Sequence, residues 1–232
     1  MGAQMRFFQA GGIAALLAVT GGAWAGSVDL PNAGGRVEVG VESMAERKFR
    51  SVIRQQYDFS CGSAAVATLL THHYDDPVSE LAVFKAMYEQ GDKAQIRAKG
   101  FSMLDMKSYL AAQGYRADGF RVPLDKLKSV GVPAIVLTND GGYSHFVVVK
   151  GVTDRRVLIG DPAKGLRTLP RKEFKAMWNG LVFVVRNRMD VAREHFNQEG
   201  EWSVLAQAPA ETGVRRRGLS DFTRSLPRRG HF

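Results

Sequence analysis

A chain of 232 residues, 45% hydrophobic and 24% charged, has the make-up of an ordinary globular protein, one large domain or two small ones. Its formal net charge of +9 would suit nucleic acid or an acidic membrane surface, yet the cations are dispersed. Neither zinc-finger spacing nor an aromatic RNA-binding motif accompanies them, so nucleic acid is not an expected partner.

The chain opens with Arg6, a mostly apolar run from Phe7 to Val19, and Ala23-Trp24-Ala25, a small-x-small cleavage site before Gly26. That order predicts a signal peptide over residues 1–25 and export of the remainder to the periplasm. The competing reading is an uncleaved anchor, against which four glycines and Gln9 argue. Residues 26–48 read as a lead-in, with a weak strand over Arg36 to Val41. Phe49 to Arg54 predicts a further strand. Cys61 to Tyr74 predicts a helix with Ser60 as its N-cap, and its apolar residues cover nearly every face, as in a buried central helix. Helices follow near Ser79 to Gln90 and Ser102 to Gln113, with Gly91 and Gly114 where C-caps belong, and a short one near Leu124 to Ser129.

The period then changes. Ala134 to Thr138, His145 to Lys150, Arg156 to Ile159 and Leu181 to Val185 are short β-branched-rich runs between Gly, Asp and Pro turns, with one helix near Arg171 to Trp178. Helices first and strands second predict an α+β fold, a central helix packed on an antiparallel sheet. The expected domain spans 49–188. Residues 189–232 read as a C-terminal helix and a flexible basic tail, in which Thr212 to Phe232 carries six arginines against Asp221.

Cys61 is the only cysteine, so no internal disulfide can form. In an exported chain an unpaired thiol is a liability unless buried or used. At the first turn of a helix the free N–H groups and the macrodipole favour a thiolate. Gly62 beside it would admit a substrate backbone. Of the five histidines, His72 and His73 lie at the far end of the same helix, and a metal site there lacks a third ligand. His195 and His231 lie in the polar C-terminal region. His145 opens a strand directly after the Gly-rich turn "NDGGYS". Asp161 ends the next strand, 16 residues on. A hairpin would bring the two together, so that Asp161 orients His145, although Asp before Pro162 is also a common turn signal. Oxyanion donors could come from the Cys61 N–H and from Gln55, six residues upstream, with Gln56 the competitor on the opposite face.

The segments "QQYDFSCGSAAVATLL", "GYSHFVVVKGV" and "VLIGDPAKG" together resemble the C39 family of cysteine peptidases. The resemblance covers about Ile53 to Val185 and implies a papain-like fold. It implies Cys61 as nucleophile, His145 as general base, Asp161 as its orienting acid and Gln55 as oxyanion donor. It further implies processing of a peptide substrate after a double glycine. One departure is Ser60, where the family usually has Asp. No Walker A sequence is present, so neither ATP nor any other cofactor is expected. A signal, a single such domain and a basic tail are similar to the peptidase-like component of functional-amyloid secretion systems. That likeness implies amyloid subunits and an outer-membrane pore as partners of a monomer. Two other classes fit the same residues: a substrate-binding chaperone without catalysis, and a Cys-His-Asp acyltransferase.

Overall fold

The computed structural model describes residues 43–206. The expected signal segment, the Arg36 to Val41 strand and the arginine-rich tail lie outside them. Among the described residues six strands form one antiparallel sheet: β1 (Ala117–Arg121), β2 (Ala134–Asp140), β3 (Tyr143–Val152), β4 (Arg156–Asp161), β5 (Gly165–Pro170) and β6 (Trp178–Val185). Their spatial order is β1-β6-β2-β3-β4-β5. The order is α+β, as the pattern predicts.

The strands alternate, and each face carries its own core. Ile135, Phe146, Val148, Phe183 and Val185 face a helical layer built around α2 (Cys61–His73), with α3 (Glu80–Gln90), α4 (Lys93–Lys99) and α5 (Met103–Ala112). Val136, Val147, Val149, Ile159 and Val182 face the other way, towards α6 (Leu124–Val130) and α7 (Arg171–Met177). This period of two is what a sheet covered on both faces requires. Helix α2 is buried from Cys61 to Leu70, and its all-round apolar surface is explained by neighbours on every side.

Phe49 to Arg54 is a correction. It forms no strand but a turn and an extended lead-in after a short helix, α1 (Met44–Lys48), which is closed by a Ser43/Glu46 capping box. The lead-in finds its partner in a helix instead: Ile53 N–H donates to Thr68 Oγ1 of α2 at 2.9 Å. Two strands, β1 and β5, have no counterpart in the sequence pattern. "ADGFR" and "GLRTLP" contain Gly, Asp and Pro, and both are edge strands, where such residues are tolerated. Two short helices, α8 (Met189–Glu194) and α9 (Glu199–Ala206), close the described chain. Between them, Asn197 joins its backbone N–H to Lys150 O and accepts the Val152 N–H, so the C-terminal segment is stitched to the end of β3. Among the described residues no helix is long and apolar enough to cross a membrane.

Candidate active site

Cys61 opens α2 and is 8% exposed. Ser60 occupies the N-cap position but does not cap. Its hydroxyl turns back on Tyr57, accepting that N–H at 3.1 Å and donating to that carbonyl at 3.0 Å. The helix start is therefore left without a side-chain cap, and its N–H groups keep their positive end for a ligand. Gly62 also meets a packing constraint. A Cβ there would lie 2.9 Å from the Cβ of Phe101, so the glycine lets the loop before α5 close over α2.

Gln55 and Gln56 separate as an extended segment requires: Gln55 is half-buried and Gln56 exposed. Gln55 Nε2 donates to Tyr57 O at 3.1 Å, while its Oε1 is buried without a partner. An amide has two N–H donors, so one stays available beside the turn that leads to Cys61. The Gln55 backbone N–H donates to Pro162 O at 3.1 Å. That single bond ties the glutamine segment to the residue following Asp161.

His145 and Asp161 meet through strand register. Val148 opposes Gly160, so position 147 faces 161, and His145 is the diagonal neighbour two residues on, on the same face. His145 Nε2 donates to Asp161 Oδ1 at 2.8 Å. The carboxylate accepts three further bonds: Oδ1 from the Ala163 and Lys164 N–H groups at 2.9 and 3.1 Å, and Oδ2 from Arg167 Nη1 at 3.2 Å. Asp161 is thus both a turn aspartate and the partner of a histidine. Burial opposes its ionisation, but the His145 bond and the two backbone N–H groups outweigh it and hold the carboxyl below its ordinary range. Arg167 escapes a reading of the sequence because "GLRTLP" gives no strand signal; only β5 brings it opposite Ile159.

His145 is buried, which by itself disfavours its charged form. The bond to Asp161 and the attraction of the Asp161 and Cys61 groups reverse this and push the imidazole up to about 9. Because Asp161 takes the Nε2 proton, the ring's Nδ1 is the nitrogen left for the thiol. Tyr143 stacks on the ring with centroids 5.9 Å apart and planes 26° from parallel. Its hydroxyl reaches Asp58 O at 3.5 Å, across to the loop before Cys61. A single cluster therefore holds a thiol, an imidazole with raised proton affinity, an orienting carboxylate and amide donors. This constellation can perform nucleophilic acyl transfer.

His72 and His73 stand apart from it, at the other end of α2. His73 is 1% exposed, and burial, then the nearby Lys150 charge, hold it well below its ordinary value. His72 is pushed down to about 4 for the same reasons. Among the described residues no group of three His, Cys, Asp or Glu side chains is placed to hold a metal ion.

A family model described as the peptidase C39 family matches residues 50–190. The chain is 43% identical over 172 residues to the "Probable functional amyloid protease FapD" of Pseudomonas fluorescens, covering 73% of this chain and 76% of that protein. To the protein of the same description from Pseudomonas aeruginosa it is 44% identical over 152 residues, covering 66% and 67%. The crystal structure of the peptidase domain of Streptococcus ComA, a bi-functional ABC transporter, superposes with a TM-score of 0.50. It covers 58% of this chain and 96% of that domain, and at 19% identity the likeness is one of fold.

Proposed function

This chain belongs to the peptidase C39 family and is a cysteine-type peptidase, and we propose that it is exported to the periplasm, where it cleaves a secreted amyloid-type protein after a glycine pair. The Cys61 sulfur attacks the scissile carbonyl and forms the thioester bond. The oxyanion is received by the Cys61 N–H at the uncapped helix start and by the Gln55 amide. His145, held by Asp161, gives its proton to the leaving nitrogen as the C–N bond breaks. It then takes a proton from the water that attacks the thioester, and the thiolate is restored. The observation that carries these roles is the 2.8 Å His145–Asp161 bond on a ring whose other nitrogen, Nδ1, is buried without a hydrogen-bond partner among the described residues.

The substrate rests on two supports. The two relatives described as functional amyloid proteases share more than two-fifths of their aligned residues with this chain. A glycine pair also suits a nucleophile only 8% exposed, since residues without side chains approach a recessed sulfur most closely. Amyloid subunits and an outer-membrane secretion pore enter as partners on the strength of the same likeness. The test is turnover of an N-acyl-Gly-Gly aminocoumarin reporter by the wild type and by Cys61→Ala. Loss on the order of 10⁶-fold is expected, as for removal of a catalytic nucleophile elsewhere. Coumarin release by the variant at the wild-type rate would refute the assignment.

A further inference from the structure

A cavity of about 270 Å³ opens on the face of the sheet that carries Val147 and Ile159. Its floor is Val147, Ile159 and Met177, and Tyr143 and His145 form one wall. Cys61 does not line it. The thiol belongs to the core layer on the opposite face, with Phe146 and Val148. His145 lines the cavity, and its Nδ1, the nitrogen not bonded to Asp161, is buried without a hydrogen-bond partner among the described residues. In the peptidase reading that nitrogen serves Cys61, so the imidazole stands between the nucleophile and the cavity.

Resting on the peptidase reading above, we propose that this cavity is the subsite for the first residue after the scissile bond, and that it selects a medium-sized apolar side chain there. The argument is stereochemical. The attacked carbonyl must sit on the Cys61 sulfur, and the leaving nitrogen must come within hydrogen-bond reach of His145 to receive its proton. The chain continuing from that nitrogen then passes the imidazole, and the space it meets is the cavity that the imidazole walls. The floor decides the selectivity. Val147 and Ile159 are buried and Met177 is half-buried, so an apolar side chain gains contact, and a charged one would lose solvation there. Asp140, Asp161, Lys164 and Arg167 also line the cavity; Arg167 is paired with Asp161 at 3.2 Å, and these groups supply a polar border where the backbone of the departing segment can lie. Met177 is an adaptable wall, able to fit branched or linear groups.

The subsite is tested by letting it choose a nucleophile. The wild-type acyl-enzyme, formed from the N-acyl-Gly-Gly aminocoumarin reporter, is offered leucinamide, glycinamide or aspartamide at equal concentration. The amine nitrogen attacks the thioester carbonyl and loses its proton to His145. The C–S bond breaks, and the product is the acyl-amino-acid amide instead of the acid. Leucinamide is expected to capture on the order of tenfold more acyl-enzyme than glycinamide, the discrimination an apolar pocket gives, and aspartamide less than either. In Met177→Trp, which fills the cavity, the ratio of leucinamide to glycinamide capture should fall towards one. In Met177→Ala the preference should move to phenylalaninamide. Equal capture of all three amides by the wild type, with normal coumarin release, overturns the subsite and leaves the peptidase reading standing. Absent release, or release undiminished in Cys61→Ala, overturns the peptidase reading and the subsite with it.

Discussion

The two ends of α2 place the same residue type in burial and give it opposite properties. At the N-terminal end His145 is buried against Asp161 and Cys61 and is pushed up to about 9. At the C-terminal end His73 is more deeply buried, its neighbours are the Lys150 cation and two further imidazoles rather than a carboxylate, and it is held well below its ordinary value. Burial alone works against the imidazolium in both places. The sign is decided by whether a carboxylate or a cation shares the site. One helix thus joins a charged, reactive centre to a neutral, structural one.

Asp161→Asn should break this contrast most severely. The amide cannot stabilise the imidazolium as a carboxylate does, and it can hold the ring in the wrong tautomer. Reporter turnover should fall by roughly 10⁴-fold, as for the equivalent change in a serine triad, while the fold persists. A turnover within tenfold of wild type, measured on protein with an unchanged circular dichroism spectrum, would remove Asp161 from the mechanism.

At the other end the largest effect is on stability. Lys150 is fully buried, with its ammonium 2.6 Å from Glu201 Oε1 and donating to Ser51 O at 2.8 Å. Burial lowers its proton affinity and Glu201 restores part of it. Glu201→Ala strands a buried charge and should cost about 3–5 kcal/mol, read by urea denaturation. The double variant Lys150→Met with Glu201→Leu should recover most of that loss, because two apolar groups of similar volume leave nothing uncompensated. If the single variant melts like wild type, α9 is not held by this pair.

The pH dependence of stability sharpens the same comparison. The His145 value is raised, so its contribution is complete below the ordinary histidine value of about 6.5 and is lost as pH rises through about 9. The values of His72 and His73 are lowered, so theirs is complete above the ordinary value and is lost as pH falls below it. His73→Leu should flatten the acid flank of the stability curve and spare the alkaline one, whereas Asp161→Asn should flatten the alkaline flank and also the part of the acid flank below the ordinary carboxylate value, where the lowered Asp161 carboxyl takes up its proton. Identical flanks in wild type and variants would show that neither end governs them. The smallest effect concerns Tyr143, 57% exposed and stacked on His145. Tyr143→Ala should lower turnover by up to about tenfold, the worth of an aromatic contact. Tyr143→Phe keeps the stack and should stay within about threefold, since it removes only a long hydrogen bond. Equal losses in both would shift the role from the ring to the hydroxyl.

Local pattern determined much of this protein. The all-round apolar run after Ser60 fixed a buried helix beginning at Cys61, because no exposed helix has such a surface. The β-branched runs around His145 and Asp161 marked two successive strands, and the observed hairpin register placed both side chains on one face. Spacing showed that Gln55 and Gln56 take opposite faces, and the structure buries Gln55. Tertiary structure decided what depends on a distant partner. Phe49 to Arg54 has strand composition, yet it pairs with Thr68 of α2 and becomes a lead-in. Ser60 looks like a cap but bonds back to Tyr57, leaving the helix start open. Gly62 answers to Phe101, and Arg167 reaches Asp161 through an edge strand whose Gly and Pro conceal it. Lys150 closes a β-branched-rich run and lies in the interior, where Glu201, fifty-one residues later, supplies its counter-charge. Short-range periodicity writes the faces of helices and strands into the sequence. Which charges, turns and walls meet across those faces depends on packing between residues far apart in the chain.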